Sequence, residues 1–501
     1  MLYWTRNDIG SVTDGREACL QMQNTDRNLY QRLLRLASAV PDKPLLREGN
    51  TVLTASVLFQ RTVSVAGAFS KLGIRRGTMA ALFVPRCLTA SVALLALRFA
   101  GAVIVLCDPR QSLTSIQNEC EADLPLSFSL RFSDPGIVVV TQLSTGLETA
   151  VSLLSDMPGV SVSDPSYDAD DAAFLLFTSG STGRRKAVVL SENNLITDLL
   201  VSEPLGMYLP DDIALGALPL DHVFGLVLLL GVPVLGYALY YPPQTDALSL
   251  LAAIEQVRIT RMNGVPSLYL RMAEHAEEYD ISSLRAGFIA GGPVTKEQFL
   301  HIEEKLDMTL ISVYGMTECI GISCSSWLDP QDVRAVGVGP FYRVNTGRVI
   351  LEDGTPAAPE QVGEICVTGP MRMLGYYGEQ MESGELLRTG DLGYLDESGV
   401  LHLCGRKKDI IIRNGYNLSA ARIEAALLSL PEITAAVVVG LPDAVQGEVP
   451  CAMIVGRADR EALQALLHKN EIPVRIRSVS AIPLTPLGKP DKQAIREALC
   501  I

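Results

Sequence analysis

Apolar residues along this chain fall into short blocks that alternate with amphipathic stretches. Val57, Leu58, Val65, Ala66, Phe69 and Leu72 recur at helical spacing between Ser56 and Leu72, and Gly73 and Gly77 punctuate the end of that helix. Met79 to Val84 is an apolar block bounded by Gly77 and Pro85, the mark of a buried strand. A helix over 88–100 and a strand over 103–106 follow. Strand, helix, strand is a βαβ unit and predicts a parallel sheet. The same reading places further strands at 137–141, 174–177, 187–190, 214–220, 261–265, 286–290 and 310–313. Helices are expected from about Ser191, over 248–258 and over 266–279.

From Arg343 to Leu403 the pattern changes to short runs separated by Gly-containing turns, which predicts antiparallel strands in a small β-barrel or twisted sheet. Past a basic stretch at 405–409, a helix over 420–428, strands over 435–440 and 452–455 and a helix over 461–468 outline a small C-terminal domain. Two apolar stretches imitate membrane spans. Residues 87–107 contain Arg98 and Gly101 and divide into the helix and strand above; residues 223–239 are broken by Gly231, Pro233 and Gly236 and are short for a bilayer crossing.

The 501 residues exceed one core and predict two to four domains or subdomains. A 48% hydrophobic and 20% charged composition describes a globular protein with a large core. The net charge of −14 argues against nucleic acid or an anionic membrane as partner. Ten cysteines are scattered without a CxxC pair, and Cys319 and Cys324 lack companions at zinc spacing, so free thiols in a reducing cytoplasm are expected. The first residues have no apolar core of the signal-peptide type.

Candidate chemistry centres on residues 174–194. A buried strand over 174–177 runs into Thr178, Ser179, Gly180, Ser181, Thr182 and Gly183, then Arg184, Arg185 and Lys186, before a second apolar run leaves. Strand, Gly/Ser/Thr loop, strand suits a phosphate cradle: glycines permit close backbone approach, N–H groups and hydroxyls point at phosphate oxygens, and the lysine adds a point charge. The spacing is not that of the Walker A loop. Alone, such a cluster is more often a plain polar turn.

TSGSTGRRK (178–186) resembles the phosphate loop of the adenylate-forming superfamily, which includes acyl-CoA synthetases, peptide-synthetase adenylation domains and luciferases. YGMTE (314–318), RTGDLGYLDESG (388–399), GRKKDIIIRNGYN (405–417) and TPLGK (485–489) match that family in order. The resemblance spans the chain from about Leu33 onward. It implies an α/β fold: a large N-terminal domain, 1–407, of two α/β subdomains with the β-barrel at about 343–403, then a small mobile α+β domain, 408–501.

The resemblance also implies roles. Gly291, Gly292 and Pro293 lie against adenine, and Tyr314, with Gly315 and Met316, stacks on it. Thr317 binds the α-phosphate, Glu318 reaches Mg²⁺, Asp391 holds the ribose and Arg406 contacts the nucleotide. Lys489 is the catalytic lysine, with Lys492 as its nearest rival. Lys408 is the hinge and Gly415 marks the face used at the thioester stage. His222 and Val223 stand at the mouth of the acyl pocket, although His222 also reads as an ordinary histidine at a strand end. Val223 replaces the aspartate that peptide-synthetase domains use for a substrate amine, so an uncharged acyl or aryl tail is expected. Three positions depart from the family pattern: Arg185 in place of proline, Asn414 in place of glycine and Pro490 in place of an aliphatic residue.

The function this implies is ATP- and Mg²⁺-dependent activation of a carboxylic acid to an acyl-adenylate, followed by transfer to coenzyme A. Loading of a phosphopantetheinyl carrier protein is the alternative acceptor. A catalytically degenerate nucleotide-binding protein is the alternative of another class, opposed by the intact Lys489, Glu318, Thr317 and Asp391.

Overall fold

The computed structural model of this chain describes residues 28–134, 136–154, 167–179, 184–202, 208–379, 381–382, 384–484 and 490–500. Two eight-stranded sheets carry the large domain. The first runs, edge to edge, Cys319–Cys324, Thr309–Met316, Ala286–Ile289, Arg261–Gly264, Ile213–Leu215, Ala238–Tyr241, Pro44–Glu48 and Thr51–Thr54. Its six interior strands are parallel to one another and its two edge strands antiparallel. In the second sheet Phe128–Asp134, Met79–Phe83, Val103–Cys107 and Ala172–Ser179 are parallel, and Arg185–Ser191 returns antiparallel beside Ala172–Ser179. The βαβ expectation is met because both faces of these strands are covered, which suits continuous apolar blocks.

The helix Leu88–Phe99 is buried at every position. Its one charge, Arg98, is neutralised inside the core: Nε lies 2.8 Å from Glu192 Oε1. Glu192 also accepts from Tyr167 Oη at 2.8 Å and from the backbone N–H of Leu29 at 3.1 Å. Four segments distant in sequence thus meet on one carboxylate, and a buried charge so surrounded is tolerable. The apolar helix Val223–Leu235 has 13 residues. Among the described residues no helix is long and apolar enough to cross a membrane. The nine described cysteines are free.

The strand-and-turn region forms a four-stranded antiparallel sheet, Thr346–Ile350, Gly363–Thr368, Leu387–Leu395, Leu401–Arg406. Of the two forms expected from the sequence, barrel or sheet, it is the open sheet, because four short strands enclose too little interior for side chains. The C-terminal sheet has five strands, with Gly447–Gly456 at its centre, paired in a long hairpin with the edge strand Ile433–Asp443, and the helix Ala420–Leu428 packed on it. The helix expected over 266–279 ends at Ala273 and resumes as a 3-10 turn, Ala276–Glu278.

Candidate active site

The strand Thr309–Met316 delivers Tyr314, Gly315 and Met316 to its carboxyl end, where open α/β sheets place ligands. Thr317 and Glu318 form the turn into the antiparallel strand Cys319–Cys324. Gly315 is required there, since a Cβ would collide with the carbonyl oxygen of Ile320. Buried Tyr314 donates from Oη to Asp391 Oδ2 at 2.8 Å. Arg406 Nε lies 3.1 Å from the other carboxylate oxygen, Oδ1. Burial, reinforced by the Asp391 charge, pushes the Tyr314 hydroxyl well above its usual range, so it serves as a donor. Three motifs far apart in the chain therefore meet at one carboxylate.

Glu318 is 8% exposed and Thr317 9%. Tyr376 Oη donates to Glu318 Oε1 at 3.1 Å, and Lys186 Nζ stands 4.4 Å above the Tyr376 ring. Burial and the Glu318 charge raise the Tyr376 pKa. Sequence reasoning missed Tyr376. It is held by pairing of Gly375–Tyr376 with Val188 and Val189 on the strand that leaves the Gly/Ser/Thr loop, and by the N–H of Met373 on the carbonyl of Glu318. The only local signal was an aromatic pair, Tyr376-Tyr377, after a glycine. A cavity of about 190 Å³ adjoins this group, lined by Glu121, Lys186, Tyr376, Tyr377 and Glu379.

Thr178 is half-buried and pairs in register with Lys186, and Ser179 pairs with Arg185, at the ends of the strands flanking the loop. Gly180, Ser181, Thr182 and Gly183 lie outside the described residues, as does Lys489. Arg185, where the family pattern has proline, makes an ion pair with Glu119 at 3.3 Å. Its carbonyl accepts from the N–H of Glu121, and Arg184 Nη2 donates to the carbonyl of Cys120 at 2.7 Å. Gly291, Gly292 and Pro293 are exposed just past the strand Ala286–Ile289, with Gly291 at φ +80°.

His222 Nδ1 accepts the N–H of Phe224 at 3.3 Å and caps the helix that buried Val223 begins. Its side chain therefore has a structural task at a helix start and not at a strand end, because the strand expected over 214–220 is confined to Ile213–Leu215. Gly415, at φ +79°, follows Asn414 at φ +50° in the turn between the strands Ile410–Arg413 and Tyr416–Ser419. Asparagine tolerates the left-handed region, so Asn414 performs the backbone task of a glycine.

The linker is anchored on both sides. Lys407 Nζ lies 3.1 Å from Glu364 Oε2 of the four-stranded sheet, while Asp409 Oδ2 lies 2.6 Å from Lys492 Nζ near the C-terminus. Lys408, between them, is exposed. Leu484 and Pro490, which flank the segment containing Lys489, pair as an antiparallel bridge.

Residues 33–377 match the model of the AMP-binding enzyme family, and residues 422–489 match that of the AMP-binding enzyme C-terminal domain. The chain belongs to the AMP-binding enzyme family. Among curated relatives, this AMP-binding enzyme is 29% identical over 475 residues to peroxisomal OPC-8:0-CoA ligase 1 of Arabidopsis thaliana, covering 87% of each chain. It is 25% identical over 521 residues to the long-chain-fatty-acid–CoA ligase of Bacillus subtilis, covering 93% of each. Among solved structures, ATP-bound MatB from Rhodopseudomonas palustris superposes with a TM-score of 0.81 at 25% identity, over 94% of this chain and 98% of that one.

Proposed function

We propose that this AMP-binding enzyme condenses a carboxylic acid with ATP, forming an acyl-adenylate and releasing pyrophosphate, and then passes the acyl group to the thiol of coenzyme A. The observation that carries this reading is the junction of two clusters through the single turn 314–318: Tyr314–Asp391–Arg406 on one side and Lys186–Tyr376–Glu318 on the other. The first cluster offers a carboxylate for ribose hydroxyls beside a tyrosine and a guanidinium. The second offers an ammonium and a hard carboxylate at the end of the phosphate-loop strand. The CoA ligases among the relatives support the same reading.

Carboxylate and α-phosphate are both anionic, so the barrier contains charge repulsion. Lys186 and the loop 178–183 would hold the departing phosphates, Thr317 the α-phosphate, and Lys489 the charge that develops in the transition state. Tyr376 orients the Glu318 carboxylate. The donor set fits Mg²⁺, a hard cation that takes oxygen and keeps most of its coordination for phosphate and water. When bound, the cation neutralises phosphate charge.

We further assign the domain boundary to 407/408, with Lys408 as the hinge. Lys407 is tied to the large domain and Asp409 to the small one, so rotation about Lys408 exchanges neither contact. The turn at Gly415 would then face the pantetheine arm after rotation.

The test is mass spectrometry of products from ATP, Mg²⁺, CoA and a panel of short, medium, long and aryl acids. Acyl-CoA is expected. Acyl-AMP without acyl-CoA would move the acceptor to a carrier protein, and absence of AMP with every acid would overturn the reading.

A further inference from the structure

The three basic residues that follow the Gly/Ser/Thr loop have different tasks. Lys186 reaches the Tyr376–Glu318 group, with Nζ 4.4 Å above the Tyr376 ring. Arg184 and Arg185 are instead held by the segment 119–121. Arg184 Nη2 donates to the carbonyl of Cys120 at 2.7 Å. Arg185 forms a parallel bridge with Cys120, its carbonyl accepts the N–H of Glu121 at 2.9 Å, and its Nε lies 3.3 Å from Glu119 Oε2. On its other side Arg185 pairs in register with Ser179, the last residue of the strand that enters the loop. The described residues on both sides of the loop thus meet at Arg185.

The segment that holds it is itself anchored. Glu119 ends the helix Leu113–Glu119, which Ser112 caps by accepting the N–H of Ser115 at 3.0 Å. The Glu119 carboxylate also accepts from Ser115 Oγ, and from Gln111 Nε2 at 3.3 Å. Ile116 and Cys120 are buried in one apolar cluster with Leu175 and Ala187, which belong to the two strands that flank the loop. Arg185 therefore meets a carboxylate whose position is already set. Its charge also reaches Asp108 and Asp221. A guanidinium among three carboxylates is an anchor in place before any phosphate arrives.

Proline, the residue of the family pattern at this position, stiffens a chain by fixing φ, whereas arginine leaves φ free. We propose that this chain replaces that stiffness with contacts. Arg185 and Glu119 are positioning residues: their pair fixes the exit of the phosphate loop, and with it Lys186, for the phosphates of ATP. The inference rests on the reading of residues 178–186 as the phosphate cradle, and it gives a task to Glu119, which belongs to none of the sequence motifs. The two side chains are 40% and 42% exposed. A half-exposed ion pair of this kind is worth about two- to fivefold in affinity.

The experiment is calorimetric titration of the full chain with ATP and Mg²⁺ at low salt, for wild type, Arg185→Ala, Glu119→Gln and the double variant, with the thermal midpoint of each recorded. Each single variant is expected to raise the Kd for ATP about two- to fivefold, and the double variant no further, because one pair is lost in all three. Thermal midpoints should stay level, and the differences in Kd should shrink at about 0.5 M salt. Glu119→Gln is the decisive variant. It removes a negative charge near an anionic ligand, so a plain charge effect tightens ATP binding, whereas loss of an anchor weakens it. Tighter or unchanged binding in Glu119→Gln overturns the proposal and leaves Arg185 as a direct phosphate contact. Losses that sum in the double variant, or a fall in thermal midpoint that accounts for the weaker binding, overturn it too. The titration needs no acid. Absence of AMP with every acid therefore sinks the acid-activating reading and leaves this result standing, while wild type that binds no ATP sinks both.

Discussion

Tyr314 and Asp391 are 77 residues apart in the chain and joined by a 2.8 Å hydrogen bond. The bond fixes the carboxylate that Arg406 approaches from the other side at 3.1 Å. Tyr314→Phe removes the donor while keeping the ring. A hydrogen bond to a charged group is worth about 1.5–3 kcal/mol, so ATP affinity should fall by about tenfold or more. Calorimetric titration with ATP checks it, and an unchanged Kd would mean that Arg406 alone positions Asp391.

Lys408 is exposed between two anchored neighbours, Lys407 on Glu364 and Asp409 on Lys492. Lys408→Pro restricts the backbone where rotation is expected. Adenylation, followed as acyl-AMP in a single turnover, should persist, and thioester formation from preformed acyl-AMP should be lost. Equal loss of both half-reactions would refute the hinge.

Lys489→Ala tests the residue expected to meet the transition-state charge. By analogy with the loss of one oxyanion donor, adenylation should slow by about 10²-fold or more. Transfer from supplied acyl-AMP should be spared. Lys492 is committed to Asp409 at 2.6 Å, so Lys492→Ala should not reproduce the adenylation defect.

The buried Asp198, on the helix Glu192–Ser202, has a consequence for stability. Its carboxyl is raised from 3.8 to about 7 by burial, so the folded state holds a proton that the unfolded chain releases. This group's contribution to stability is complete below pH 3.8 and is lost as pH rises towards about 7. Between pH 5 and pH 8 the urea midpoint of wild type should therefore fall relative to that of Asp198→Asn. A gap between the two proteins that does not change with pH would contradict a protonated buried Asp198.

The sequence by itself determined the elements and the parts list. Apolar blocks bounded by glycine and proline place strands such as Met79–Phe83 and Val103–Cys107 within a residue or two of their ends, because burial on both faces demands continuous apolar runs. Five ordered motifs named Tyr314, Asp391, Lys186, Glu318 and Arg406 without saying which would touch. Tertiary structure decided the rest. Tyr376 joins Lys186 to Glu318 only because Gly375–Tyr376 docks on the strand Arg185–Ser191. Arg98 is tolerable in an apolar helix only because Glu192 arrives 94 residues later. Glu192 and Asp198 are indistinguishable as acids on one helix until packing gives the first carboxylate its partners and leaves the second without one among the described residues. Periodicity records which side chains are buried. Whether a buried polar group is satisfied depends on what the rest of the chain brings to it, and that is a property of the assembled fold.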